Sequence, residues 1–162
     1  MAQQTLLGKA APPLTDAVVG TKGMMTPAWS RWFSLMPATL EAIPSVINTV
    51  VLGTQAASIS ATDFSGGSLR AGLYRASYHA RITRAATTSS SLIVTLSWTD
   101  SGVAKNSAGA AITGNTTATT QSGSILIRID KAAAVRYATT YVSVGATAMQ
   151  YGLDLVLERI KE

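Results

Sequence analysis

From Val46 to the last residues, apolar side chains recur at every second position. In GLYRASYHARITR, Tyr74, Ala76, Tyr78, Ala80 and Ile82 share one face, while Arg75, Ser77, His79, Arg81 and Thr83 share the other. SLIVTLSWTD places Leu92, Val94, Leu96 and Trp98 on its apolar side, and GSILIRID does the same with Ile125, Ile127 and Ile129. VRYATTYVSVG follows, and QYGLDLVLERI aligns Tyr151, Leu153, Leu155 and Leu157. With VINTVVL, ASISA and short pieces near Ile112 and Thr119, this predicts about eight strands separated by turn signals. Short, evenly spaced strands without intervening helices form sandwiches or barrels, and eight of them predict a jelly-roll-like antiparallel sandwich over residues 46–162. AATTSSS, between the third and fourth strands, is expected to be a hairpin loop. The small, polar run KNSAGAAITGNTTATTQSG at 105–123 is expected to form edge strands suited to close packing between chains.

Residues 1–45 follow a different rule. Pro12, Pro13, Gly20 and Gly23 interrupt any period in the first 25 residues, predicting an extended arm. A helix start follows, with Thr26 as N-cap and Pro27 at the first helical position. Trp29, Trp32, Phe33, Met36, Leu40 and Ile43 then form one helical stripe, which Pro37 should kink or divide and Pro44 should end. Such a short helix is marginal unless its stripe is buried. Two burials compete: the stripe packs on its own sandwich, or Trp29, Trp32, Phe33 and Met36 dock on another chain.

Charged residues make up only 13% of the 162, about half the usual share, so the polar surface is mostly Ser, Thr, Gly, Asn and Gln. Such a surface suits burial between copies, because few charges need desolvating, and it suits a Thr-rich β-protein equally well. The net charge of +5 is spread along the chain without a Lys/Arg cluster, so no nucleic-acid contact is required. The start, MAQQTLLGKAAPPLTD, has no charged segment followed by a long apolar one, so no export signal is expected. The longest apolar stretches are too short to span a membrane. There are no cysteines, hence no disulfides and no thiolate metal sites.

Candidate chemistry is sparse. His79 is the single histidine, and its strand neighbours Arg75, Ser77 and Arg81 supply no carboxylate for a triad or metal site. The acids are scattered; Asp63, Asp100 and Asp130 fall at strand ends, where aspartate commonly forms turns. Gly66-Gly67 lacks the Lys-Ser/Thr of a phosphate loop, and the glycosylation match at Asn115 has no meaning without export. The row Arg75, His79 and Arg81 could attract an acidic partner or a sugar, or be a solvated strand face. Five tyrosines (74, 78, 137, 141 and 151) could stack on a carbohydrate, although Tyr74 and Tyr78 share the inward face. No catalytic set and no cofactor is nominated, and the expectation is a non-enzymatic protein.

The run PPLTDAVVGTKGMMTPAWSRWFSLM resembles the N-terminal segment of small virion structural proteins of tailed bacteriophages. Pro13, Asp16, Gly23, Met24, Thr26, Trp29, Trp32 and Phe33 carry the match. The stretch QAASISATDFSGGSLRAGLYRASYHARITR also resembles phage β-sandwich domains in texture. The resemblance implies that the N-terminal segment fixes the chain to the particle and that a distal β-domain, commonly trimeric, projects outward. The expected location is the virion, after assembly in the host cytoplasm, with other virion proteins as partners. A chain closing on LDLVLERIKE leaves no room for a further receptor-binding domain, which favours a tail or neck adaptor, head fibre or capsid decoration protein. Two rivals stand beside this expectation: a carbohydrate-binding host-recognition module and a small hydrolase.

Overall fold

The computed structural model describes residues 17–40 and 44–161, with side-chain surroundings for 17–34 and 44–160. The chain divides into two compact units, Met1–Pro44 and Ser45–Glu162. In the first, residues 17–26 fold back in a tight turn rather than running extended. A bridge pairs Val19 with Met25, and Gly20 N–H donates to the Met24 carbonyl at 2.8 Å. The predicted arm at 1–16 lies outside the described residues. The helix α1 spans Pro27–Leu40. The helix begins at Pro27 as expected, and Thr26 takes the N-cap position: its carbonyl accepts the Ser30 N–H at 2.9 Å, while its hydroxyl donates to the Ala17 carbonyl at 2.8 Å and closes the preceding turn. The helix is not divided at Pro37: it continues for three residues beyond, losing the one bond to Phe33 that a proline nitrogen cannot donate.

The second unit is a sandwich of eight strands among the described residues: β1 (Ser45–Gln55), β2 (Ile59–Asp63), β3 (Gly72–Arg84), β4 (Ser89–Asp100), β5 (Val103–Ala108), β6 (Thr120–Ile129), β7 (Arg136–Val144) and β8 (Gln150–Lys161). They form two four-stranded antiparallel sheets, ordered β1-β8-β3-β6 and β2-β7-β4-β5. Every connection crosses between the sheets except the β4–β5 hairpin, which is jelly-roll wiring.

That wiring corrects two expectations. AATTSSS is not a hairpin loop, because β3 and β4 belong to different sheets; alternation reveals which face a residue takes but not which strand lies beside it. The true hairpin turns at Ser101-Gly102, whose φ values of 52° and 77° are both left-handed, as a two-residue turn between twisted strands requires. The run at 105–123 contributes the ends of two edge strands, β5 and β6, and between them a connector. Ile112 bridges Leu92 through backbone bonds of 2.8 and 3.1 Å, and Asn115 clamps both the N–H and the carbonyl of Ala86 at 2.8 Å. The segment is ordered by backbone and amide bonds, not by a ladder of its own.

The core lies between the sheets where the alternation placed it. Tyr74, Ala76, Tyr78, Ala80 and Ile82 of β3 are buried, as are Leu92, Val94 and Leu96 of β4 and Tyr151, Leu153, Leu155 and Leu157 of β8. Small alanines between large tyrosines on β3 let side chains of the facing sheet interdigitate. Buried hydroxyls are bonded. Thr139 Oγ1 accepts the Ile59 N–H at 2.9 Å and lies 2.7 Å from the Tyr151 hydroxyl, which donates to the Ala57 carbonyl at 2.8 Å. This chain ties the β1–β2 connection to the core.

Tyr78 occupies its place because residues around it lack side chains. A Cβ on Gly123, its partner in register, would fall 2.6 Å from the Tyr78 ring carbon Cζ, and one on Gly109 would overlap the hydroxyl. Gly123→Ala should therefore lower stability by about 1–3 kcal/mol, the usual range for overpacking, in urea unfolding.

Asp63, at the end of β2, accepts the Ser65 N–H and hydroxyl through Oδ1, both at 2.8 Å. The Ser65 hydroxyl bond, aided by backbone N–H groups of 65–67, holds this carboxyl below the usual carboxylate range against a small opposing effect of burial. A carboxyl depressed in the folded state stabilises above its unfolded pKa of about 3.9, and that contribution disappears as pH falls through the lower folded value. Asp63→Asn should lose under about 1 kcal/mol at pH 7, since the group is exposed, and the loss should shrink as pH falls from the unfolded value through the lower folded one. Unfolding curves across the acid range measure both.

Candidate functional site

The outer face of the β1-β8-β3-β6 sheet is the place where sequence-nominated residues meet. Registers run across all four strands: Val51, Asp154, His79 and Ser122 form one row, and Thr49, Val156, Ser77 and Ser124 the next. Val46, Glu158, Arg75 and Leu126 form the row beyond. Directly paired residues in an antiparallel sheet point the same way, so each row is a line of neighbouring side chains.

The carboxylates that His79 lacks on its own strand are supplied by β8. Arg75 holds Glu158 through Nε and Nη2, each 2.7 Å from Oε2. Arg81 pairs with Asp154 Oδ2, and Asp154 Oδ1 is buried without a hydrogen-bond partner. His79 Nδ1 lies 2.9 Å from the Ser122 hydroxyl, and the Ser77 and Ser124 hydroxyls are 3.1 Å apart. Partly exposed pairs like these add at most about 1 kcal/mol each to stability. Their larger effect is on the face itself: its charges cancel locally.

Between these side chains lies a shallow groove of about 560 Å³, floored by short residues at Ser77, Ser122, Gly123 and Ser124 and edged by His79, Asp154 and Val156. The row Ser122, His79 and Asp154 contains the residue types of a nucleophilic triad and its Ser–His contact, but not the His–Asp bond that would orient the imidazole: Asp154 is bonded to Arg81 instead. Flanking the groove are exposed aliphatics: Val51 is 73% exposed, Leu126 64% and Val46 59%. Low charge was legible in the sequence; that the arginines and acids would pair across β3 and β8 was not, because it depends on strand order.

Other sequence candidates have structural duties. Tyr74, Tyr78, Tyr137 and Tyr151 are buried, and burial pushes the Tyr78 and Tyr151 phenols up from their ordinary value. The Tyr74 hydroxyl donates to the Arg70 carbonyl, and that of Tyr141 to Met149, so the tyrosines form no sugar-stacking platform. Asp130 accepts from Ser101 and Arg128, whose bonds hold its carboxyl low, at the turn end where it was expected. Among the described residues no group of three or more His, Cys, Asp or Glu could hold a metal ion. Nor is any helix among them long and apolar enough to cross a membrane.

In the N-terminal unit, the three nominated rings form one cluster. Trp29 and Trp32 have centroids 5.5 Å apart in edge-to-face geometry, Trp32 and Phe33 5.0 Å, and Trp29 and Phe33 5.9 Å. Phe33 is 43% exposed, and Met24 in the preceding turn 68%. The side chain of Met36 lies outside the described residues.

No family model and no curated protein matches the chain. Among solved structures, the chain is similar to the globular domain of a zebrafish complement 1qA protein, with a TM-score of 0.43 and 13% identity over 68% of this chain and 93% of that one. It is also similar to TmCBM61, solved with β-1,4-galactotriose, with a TM-score of 0.42 and 13% identity over 72% of this chain and 87% of that one. A third likeness is to the CBM22-1–GH10 modules of a Clostridium thermocellum endo-1,4-β-D-xylanase 10B, solved with xylohexaose, with a TM-score of 0.35 and 17% identity over 74% of this chain and 28% of that one.

Proposed function

We propose that this chain is a non-enzymatic bacteriophage virion structural protein. It docks to the particle through its N-terminal segment and assembles through its β-sandwich, as a tail or neck adaptor, head fibre or capsid decoration protein. The observation that carries the assembly is the outer face of β1-β8-β3-β6. There Val46, Val51 and Leu126 stand exposed on a surface whose arginines are already paired with acids of the same sheet. A second copy meeting this face covers apolar area without stripping water from an unpaired charge. The occupant is therefore another copy, with three as the number that the virion resemblance implies. Placement in a virion rests on the resemblance of residues 13–33, and docking on the aromatic cluster of Trp29, Trp32 and Phe33 together with Met36.

A second reading, a carbohydrate-binding host-recognition module, draws on the same groove. Ser77, His79, Ser122 and Ser124 offer hydroxyls and an imidazole, and Asp154 Oδ1 is an unmatched acceptor. The two readings exclude each other on this face, since copies packed together deny it to a glycan.

Light scattering on the purified chain should give three times 16.8 kDa. The double change Val51→Glu and Leu126→Glu should produce folded monomers, because both side chains are exposed in the single chain, with a melting temperature lowered only by the stabilisation that assembly adds. A parent that is monomeric at micromolar concentration, or a variant that remains trimeric, overturns the assembly reading.

Docking is tested separately. Burying an interface tryptophan contributes on the order of 2–3 kcal/mol. Trp29→Ala with Trp32→Ala should abolish incorporation into particles and leave the unfolding of the sandwich unchanged. A destabilised sandwich that still incorporates would mean that the stripe is ordinary core.

A further inference from the structure

The two sheets of the sandwich have four edges: β1 and β6 on one, β2 and β5 on the other. An edge strand presents a row of unpaired backbone N–H and carbonyl groups that invites another strand, and proteins normally blunt it. Three of the four edges are blunted. β1 breaks register twice, between Val46 and Asn48 and between Leu52 and Gln55. β2 is five residues long, breaks register once and ends on Asp63. β5 is six residues long and carries Lys105.

The fourth edge has no such guard. β6 pairs with β3 without a shift, from Thr120 opposite Arg81 to Ile129 opposite Gly72. It has no proline and, before Arg128, no charge. The Ile82 N–H donates to the Thr119 carbonyl at 3.0 Å, in continuation of that register, which sets the phase of the ladder. Odd-numbered residues of β6 therefore turn their backbone groups to β3, and even-numbered ones turn theirs away. The outward residues Thr120, Ser122, Ser124, Leu126 and Arg128 are all exposed, and β6 has no strand on that side among the described residues.

This outward row is complementary to itself. A second β6, antiparallel and related by a two-fold axis at Ser124, places Ser124 against Ser124, Ser122 against Leu126 and Thr120 against Arg128. Each outward N–H then meets a carbonyl of the partner, and each carbonyl an N–H. The exposed Leu126 of each copy falls beside the partner's short Ser122, at the rim of the groove already described. The two Arg128 side chains lie at opposite ends of the pair, and each has its own carboxylate in Asp130. β1, the other edge of this sheet, breaks register twice and cannot follow ten regular residues. We infer that β6 is a docking strand for a second copy of this chain, joined edge to edge in a two-fold β6–β6 pair centred on Ser124. The contact goes beyond the outer-face assembly and does not rest on it: its hydrogen bonds run in the plane of the sheet, whereas the other contact lies above it. Edge pairing doubles whatever particle the outer face builds.

Thiol crosslinking tests the register directly, because the chain has no cysteine of its own. Directly opposed residues of such a pair have Cα atoms about 5.5 Å apart, within disulfide reach. Oxidised with diamide, Ser124→Cys should give covalent dimers. Ser122→Cys mixed with a size-tagged Leu126→Cys should crosslink to it faster than either does to itself. Val142→Cys is 50% exposed on the outer face of the other sheet and should stay uncrosslinked. Light scattering supplies a second measurement, since the mass of the parent should double as concentration rises. Ser124→Pro removes an outward N–H and no bond to β3, so it should fold and need at least about tenfold more protein to double, the loss of one hydrogen bond per copy. Monomeric Ser124→Cys after oxidation, equal crosslinking of Val142→Cys, or doubling of Ser124→Pro at the parent's concentration each overturns the inference. Edge dimers from a chain that assembles no further uphold it and overturn only the outer-face reading.

Discussion

The constraint on which this molecule depends is the two-residue period of β3 and β8, the central strands of one sheet. Each is paired on both sides, so neither can slip by one residue without turning its whole inner row outward. On β3 that inner row is Tyr74, Ala76, Tyr78, Ala80 and Ile82, and on β8 it is Tyr151, Leu153, Leu155 and Leu157. The same period, displaced by one, fixes the outer row: Arg75, Ser77, His79 and Arg81 beside Asp154, Val156 and Glu158. The candidate face is the other side of the core. Its ion pairs follow from a register that the hydrophobic side enforces, which is why they need contribute little stability themselves.

This explains what could be read from the chain and what could not. Fold class and the inward rows of β3, β4, β6 and β8 follow from local alternation, and they were legible. Partners were not. His79 appeared to have no carboxylate because Asp154 is 75 positions away in sequence and adjacent only through β3–β8 pairing. The 85–91 segment has hairpin composition but carries the chain to the other sheet, while Ser101-Gly102, a pair that tolerates positive φ, was the overlooked turn signal. Composition likewise marked 105–123 as small and polar, though the order of its centre comes from Asn115 and Ile112 bonding to distant backbone. The helix follows from its period, and it is not divided at Pro37, because one missing backbone bond does not end a helix when the flanking residues sustain it.

The outer faces of the two sheets differ in how they treat charge. On β1-β8-β3-β6, arginine meets acid within the face, short hydroxyl side chains keep the surface low, and valines and a leucine remain exposed. Desolvating such a surface removes little favourable hydration, because each ion already has a partner that travels into the interface with it. On the outer face of β2-β7-β4-β5 the opposite holds. Arg136 is exposed with no carboxylate within ion-pair distance among the described residues, so covering it with another copy would carry the cost of desolvating an unpaired charge.

The positioning of Asp63 shows how one turn can set both the fold and a surface property. Its carboxylate satisfies the Ser65 N–H and hydroxyl, and Ser65 Oγ in turn accepts the Val135 N–H at 3.1 Å. The 63–67 turn is thereby pinned to the residue that immediately precedes Arg136. An acid free to swing would neutralise that guanidinium across the β2–β7 register; an acid locked into a turn cannot. The bond network that orders the β2 exit thus leaves Arg136 electrostatically available. The charge on this part of the outer face thus depends on how the β2 exit folds as much as on the arginine itself.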